Sequence, residues 1–96
     1  MYSKGRSYAN SYVVVYCRKN REGHSRVGYT VSTKLGHAVV RNRIRRRLRE
    51  IYRLNSAMLK PGWDIIVVAR SRCIDADYRK IEAAFLSACS ELGIAL

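Results

Sequence analysis

The sequence is poor in acids. Seven Asp and Glu stand against nineteen Lys and Arg, a formal net charge of +12. Such a surface repels itself and calls for a polyanionic partner, with nucleic acid ahead of an anionic membrane. Groups for catalysis are also scarce. Metal-free RNA cleavage needs a paired acid and base, yet the histidines are only His24, in a polar turn, and His37, before a basic segment. Both read as surface residues. The carboxylates are scattered, so the ligand set of a two-metal nuclease is missing. Asp75 and Asp77 are close, but they sit where a helix cap belongs. No phosphate loop, nucleophile motif or metal-ligand cluster occurs. Cys17, Cys73 and Cys89 are odd in number and lack CxxC spacing. That excludes a zinc ribbon, argues against a disulfide framework and fits a reducing cytoplasm. Cys17 and Cys89 fall at apolar positions and read as small core residues. The first apolar run, "YVVVYC", is too short for a signal sequence or a membrane span. Pro61 is the sole proline, and no repeat, low-complexity tract or linker is visible. The residues describe a binding module of one domain, 1–96, rather than a self-sufficient nuclease.

The hydrophobic fraction of 48% is enough for a core. Residues 1–11 are polar and basic, with Tyr2 and Tyr8 interleaved and Gly5 as a helix breaker. "SYVVVYCRK" is β-branched and aromatic and predicts a strand over 12–18. Tyr12, Val14 and Tyr16 would share one face, and Val13, Val15 and Cys17 the other. "KNREGHS" reads as the turn of a hairpin, with "RVGYTVS" as the returning strand. Val27, Tyr29 and Val31 line one side of that strand; Gly28 and Thr30 leave its other side shallow and open. Helical spacing follows, and "KPG" at 60–62 stops it. "WDIIVVAR" is nearly continuous in apolar residues and predicts a central strand buried on both faces. "DADYRKIEAAFLSACSELG" predicts a second helix, capped by Asp75 or Asp77, with Gly93 just past its end. Its apolar stripe is Tyr78, Ile81, Phe85, Cys89 and Leu92. The expected fold is an α/β sandwich of two layers, with helices packed on a small mixed sheet.

The stretch "GHAVVRNRIRRRLREIYR" carries seven arginines and one acid. On a helical projection Val40, Ile44, Leu48, Ile51 and Tyr52 form one stripe. Arg41, Asn42, Arg45, Arg46, Arg49 and Arg53 fall opposite, while Arg43 and Arg47 flank the stripe and can lean along the protein surface. A merely solvated face would mix signs, but only Glu50 is available, with Arg46 as its i−4 partner. Guanidinium groups bind phosphate oxygens in forks and stack on bases. Basic amphipathic helices of membrane-surface or calmodulin-target type are usually free to leave their domain. This one is flanked by strands that need its apolar face. No helix-turn-helix pair or zinc finger precedes it. The open strand face with tyrosines therefore favours RNA, whose unpaired bases stack on aromatic rings. Among the tyrosines, Tyr16 is the one expected to be exposed.

The segment "RVGYTVSTKLGHAVVRNRIRRRLREIYR" resembles the signature of the bacterial ribonuclease P protein subunit. The "RNR" of that family is Arg41-Asn42-Arg43 here, followed by Arg45, Arg46 and Arg49, with Lys34 as the second of its paired lysines. "KGRSYAN" and "DIIVVAR" match in type and order, so the resemblance covers nearly the whole chain. It implies a fold similar to the second domain of ribosomal protein S5, with four strands and a left-handed βαβ crossover, against the usual right-handed rule. Only three strands are read above, so the fourth falls either at a bend in 25–33 or in a stretch not read as strand. The resemblance also implies a partner, the catalytic ribonuclease P RNA, bound in a 1:1 complex by a monomeric, cytoplasmic protein. That RNA, with bound Mg²⁺, removes the 5′ leader of precursor tRNA, and the protein alone is inactive. The implied contacts to the catalytic RNA are Lys34, Arg41, Asn42, Arg43, Arg45, Arg46, Arg49 and Arg53; those to the leader are Tyr2, Tyr12 and Tyr16. A ribosomal or general RNA-binding module is the alternative, and an autonomous endoribonuclease a third reading.

Three departures from the family pattern stand out. Thr33 replaces the first of the paired lysines. His37 replaces an Asn at the expected helix start. The family's N-terminal helix, one wall of its leader cleft, is cut to "MYSK". The expectation is that binding of the catalytic RNA outlasts leader recognition. Restoring residues upstream of Met1 should raise leader affinity and leave affinity for the RNA subunit unchanged. Unaltered leader affinity in that comparison would sink this expectation.

Overall fold

The apolar strand "WDIIVVA" organises the chain. In the computed structural model, which describes residues 5–20 and 23–96, this strand has a neighbour on each side. The elements run β1 (Arg6–Ala9), β2 (Val13–Lys19), β3 (Arg26–Thr30), α1 (Ala38–Asn55), β4 (Trp63–Ala69) and α2 (Tyr78–Glu91), with short 3-10 turns at Thr33–Leu35, Ser56–Met58 and Ser71–Cys73. The sheet order is β1-β2-β4-β3. β4 pairs antiparallel with β2, Val15 opposite Val67, and parallel with β3, Val27 opposite Ile65. β3, α1 and β4 thus form a parallel crossover unit in a mixed sheet.

Both helices cover the same side. Val13, Val15 and Cys17 of β2 and Ile65, Val67 and Ala69 of β4 are buried in one cluster with Ile44, Leu48 and Ile51 of α1 and Ile81, Phe85 and Cys89 of α2. Val40 and Tyr52 are partly buried against that cluster, and Tyr52 meets the Phe85 ring edge-on at 6.5 Å, closing the seam between the helices. The three cysteines are free and buried, as small core residues. Burial pushes the Cys89 thiol up to about 12, which keeps it protonated and inert.

The structure corrects three expectations about the sheet. β2 and β3 do not form a hairpin, because β4 lies between them. β3 runs opposite to β2, as a turn between them requires, but a turn does not choose the strand beside which the chain lands. β4 is central, as expected, yet buried on one face only: Ile65, Val67 and Ala69 are buried while Ile66 is 48% exposed. Both described helices pack on one side, and among the described residues nothing covers the other side. The missing strand is β1, paired with β2 in the actual hairpin. Its four residues "RSYA" are mostly exposed and show no apolar alternation, which is normal for a short edge strand.

Polar clamps hold β1 in place of burial. The Asn10 side chain accepts from the Tyr12 and Val13 amides at 3.0 Å and donates to the Ala84 carbonyl of α2 at 2.9 Å. Arg6 reaches from β1 to the Leu92 carbonyl at the end of α2, where a cation complements the helix dipole. That helix ends as expected: Gly93 has φ 77°, and the Gly93 and Ile94 amides donate to Ser90 and Cys89 carbonyls. Asp77 occupies the N-cap position of α2 but makes no side-chain capping bond, so the expected cap by an Asp carboxylate is absent. At the other helix, Gly36 (φ 139°) packs under Val40, and an added Cβ would come within 3.2 Å of that side chain. Replacing Ile44 or Leu48 with Ala should cost about 2–5 kcal/mol in urea unfolding, because each leaves a cavity between helix and sheet.

Candidate nucleic-acid interface

The arginine helix presents the two faces read from its periodicity. Its apolar stripe points into the core, which fixes the outward direction of the rest. Asn42, Arg43, Arg46, Arg49 and Arg53 are exposed, and Arg41 and Arg45 are half-buried. Lys34 lies exposed in the 3-10 turn just before the helix, a turn capped by the Ser32 hydroxyl, which accepts from the Lys34 amide. Local bonds shape the array. Arg41 donates through Nε to the Gly36 carbonyl at 3.2 Å, and Arg45 donates to the Asn42 side-chain oxygen at 3.1 Å. Arg47 leans along the surface to the Ala76 carbonyl at 3.4 Å. Glu50 pairs with Arg53 at 2.8 Å rather than with Arg46. The other cations on this face make no ion pair among the described residues.

The start of α1 adds to this field. No acid occupies its first turn, and His37 at the N-cap position makes no side-chain bond to the helix. Unsatisfied amides, the positive end of the helix dipole, Lys34 and Arg41 therefore converge at one end of the cationic face. Guanidinium groups in such an array have the geometry to grip phosphate oxygens in forks.

A second surface lies on the uncovered side of the sheet. Cross-strand register sets its rows: Ser7, Tyr16, Ile66 and Gly28 in one, Arg18, Asp64 and Arg26 in the next. Tyr16 is 47% exposed and its row neighbour Ile66 is similarly open. A Cβ built on Gly28 would meet nothing within 4 Å, so the floor stays shallow there. A hollow of about 290 Å³ opens beside Tyr16, bordered by Gly5, Arg18, Asp64 and Ile66. Asp64 anchors the polar row. It accepts from Arg26 at 3.0 and 3.1 Å, from Asn20 at 3.0 Å and from Arg18 at 3.4 Å. The hydrogen bonds of Arg26, then of Asn20, hold its carboxyl down to about 2, so it is an anion throughout the neutral range.

The expected leader tyrosines are not gathered in one place. Tyr16 stands on the open face. Tyr12 lies in the turn before β2, partly buried, and borders a polar hollow of about 280 Å³ beside the start of α2, with Arg72, Asp75, Asp77 and Lys80. The shared face expected for Tyr12 and Tyr16 ends where the strand begins, at Val13. Tyr2 lies outside the described residues. Ile66, Val68 and the Arg18–Asp64–Arg26 row were not foreseen in the sequence. One signal was available: a two-layer fold with two helices must leave one sheet face bare, and Asp64 interrupts an otherwise apolar strand.

The carboxylates do not converge on a cation site. Asp64 is occupied by its cationic partners, Glu50 by Arg53, and Glu82 by the Asn55 amide at 2.8 Å. Among the described residues no group of three His, Cys, Asp or Glu could hold a metal ion. No described helix is long and apolar enough to cross a membrane.

Comparison with known proteins agrees with this geometry. The family described as Ribonuclease P matches residues 1–93. The ribonuclease P protein component of Alkaliphilus oremlandii is 44% identical over 94 residues, covering 98% of this chain and 82% of the relative. Among solved structures, the ribonuclease P protein of Thermotoga maritima superposes with a TM-score of 0.85 at 34% identity, covering 92% of this chain and 84% of the other. That of Staphylococcus aureus gives 0.83 at 34% identity, covering 96% and 84%. The match thus holds in sequence and in fold over nearly the whole chain, and the chain belongs to the ribonuclease P protein family, the RNA-binding protein components of the endoribonuclease that matures the 5′ end of tRNA.

Proposed function

We propose that this chain acts as one RNA-binding domain with two separate contacts. The outer face of α1 holds the catalytic RNA through Lys34, Arg41, Asn42, Arg43, Arg45, Arg46, Arg49 and Arg53. The bare face of the sheet receives the single-stranded 5′ leader of precursor tRNA, with Tyr16 as its stacking platform. Mg²⁺ and the hydrolytic step belong to the RNA. One protein binds one RNA, in the cytoplasm. The observation that carries this reading is the placement of the two surfaces. The arginine face and the open tyrosine face lie on opposite sides of the same small fold, so a ribozyme and an unpaired strand can be held together.

Each surface suits its assignment. Phosphates dominate affinity for a folded RNA, and guanidiniums are their best protein ligands. Unpaired bases need an aromatic or apolar platform with cations at its edge. Tyr12, placed beside α2, and Tyr2 keep only the support of the family resemblance as leader contacts.

Two measurements test the reading. In a mixture with a ribonuclease P RNA and precursor tRNA at low Mg²⁺, the protein should stimulate release of the leader. Alone it should release none. Cleavage by the protein alone would move the chemistry to the protein, and a failure to stimulate would favour a general RNA-binding role. Arg45→Ala should weaken binding to the RNA subunit and reduce the slope of log affinity against log salt by about one ion. If affinity and slope both stay as they were, Arg45 leaves the proposed site.

A further inference from the structure

Asp64 is out of place on a surface meant for RNA. It is the sole acid among the outward residues of the four strands, which otherwise present Ser7, Ala9, Val14, Tyr16, Arg18, Ile66, Val68, Arg26, Gly28 and Thr30. A lone carboxylate beside a stacking platform repels the backbone it should welcome. Its contacts give it a different task. Both oxygens are engaged, one by Arg26 Nε and Asn20, the other by Arg26 and Arg18 terminal nitrogens. Arg18 comes from β2 and Arg26 from β3, the strands on either side of β4. The carboxylate therefore ties side chains on three adjacent strands into one row. With neighbouring strands about 4.8 Å apart, the two arginines are rooted roughly 10 Å from each other.

The row has a direction. It runs beside Tyr16 and Ile66, the floor of the hollow, one step along the strands. Arg18 and Arg26 keep about half their side-chain surface open, 53% and 58%, whereas Asp64 keeps 21%. Solvent and ligand thus meet the guanidiniums more than the acid between them. A free arginine on a strand loses side-chain entropy when it grips phosphate; one already held loses less.

Resting on the leader reading above, we propose that Asp64 is a positioning residue for the single-stranded leader. It holds Arg18 and Arg26 along one rim of the bare sheet face, where they meet backbone phosphates of a strand whose bases lie on Tyr16 and Ile66. The prediction has an unusual sign. Removing the acid raises the net charge by one, which by field strength alone tightens RNA binding. Removing a positioning group weakens it.

The test uses the holoenzyme and the ratio of its affinities for precursor tRNA with and without a leader. Asp64→Asn should lower that ratio about 3- to 10-fold, with leaderless tRNA bound as before. Asp64→Glu, which keeps the carboxylate, should recover most of the loss. An unchanged or larger ratio in Asp64→Asn overturns the proposal. Should that variant fail to assemble with the RNA, Arg18→Gln decides. It should lower the same ratio and cut the leader-dependent salt slope by about 0.7, and an unaltered ratio overturns the proposal equally. Tyr16→Ala reports on the underlying reading. If it leaves the ratio intact, the leader is not on this face at all. If it lowers the ratio while Asp64→Asn does not, only the positioning role fails.

Discussion

The structure depends on the one-sided burial of β4. This strand is the middle of the fold, paired on both edges, and its inward residues Ile65, Val67 and Ala69 meet both helices. Among the described residues, its outward side chains meet no second layer. Both described helices lie on the inward side and shield it. Among the described residues, the outward side is left open by this topology. What sets that face apart is its lining: an exposed tyrosine, an exposed isoleucine, a glycine with empty space above it and a bridged ionic row, in place of the alternating polar side chains that would merely solvate a sheet.

The arginine helix answers the same constraint from the other layer. Like charges at i, i+3 and i, i+4 destabilise an isolated helix by a few tenths of a kcal/mol per pair. Here one ion pair, Glu50 with Arg53, offsets them locally. What holds α1 is its buried stripe, since Ile44, Leu48 and Ile51 are each 2% exposed or less. Burial of such side chains is worth about 1.5–3 kcal/mol each, well above the repulsion. The core stripe thus permits the charge density. It also orients it, because a helix pinned by Ile44 and Leu48 cannot rotate its arginines toward the protein.

Much of this was legible in the residues. The faces of α1, the stripe of α2, the glycine stop at Gly93 and the exposure of Tyr16 all follow from 3.6- or 2-residue periods and turn chemistry. Three features were not. β1 is held by Arg6 and Asn10 through bonds to Leu92 and Ala84, 86 and 74 residues away in the chain, and long-range polar clamps leave no local pattern. The slot between β2 and β3 is filled by a strand that arrives one helix later, and a turn signal carries no information about that pairing. The apolar run of β4 resembled a strand buried on both sides, because Ile66 and Val68 are hydrophobic for a surface rather than for a core. An apolar residue kept on an open face cannot be told from a core residue by composition; only the count of covering helices separates them.

The two surfaces also differ in kind of force, and this bears on the two RNA contacts proposed for them. On α1 the cations are largely uncompensated, so their attraction is long-ranged and strongly salt-dependent. On the sheet the cations Arg18 and Arg26 are already bridged by Asp64, so the long-range field there is muted. What remains is short-ranged: ring stacking, apolar contact and directed hydrogen bonds. On the reading proposed here, a large folded RNA suits the first kind of surface, and the hollow of about 290 Å³ on the second suits unpaired bases. An unpaired strand can use the second, because its bases are free to leave their own stack. Had the sheet carried arginines without Asp64, both faces would compete for the same phosphates. On the reading proposed here, one carboxylate among nineteen cations keeps the two contacts distinct.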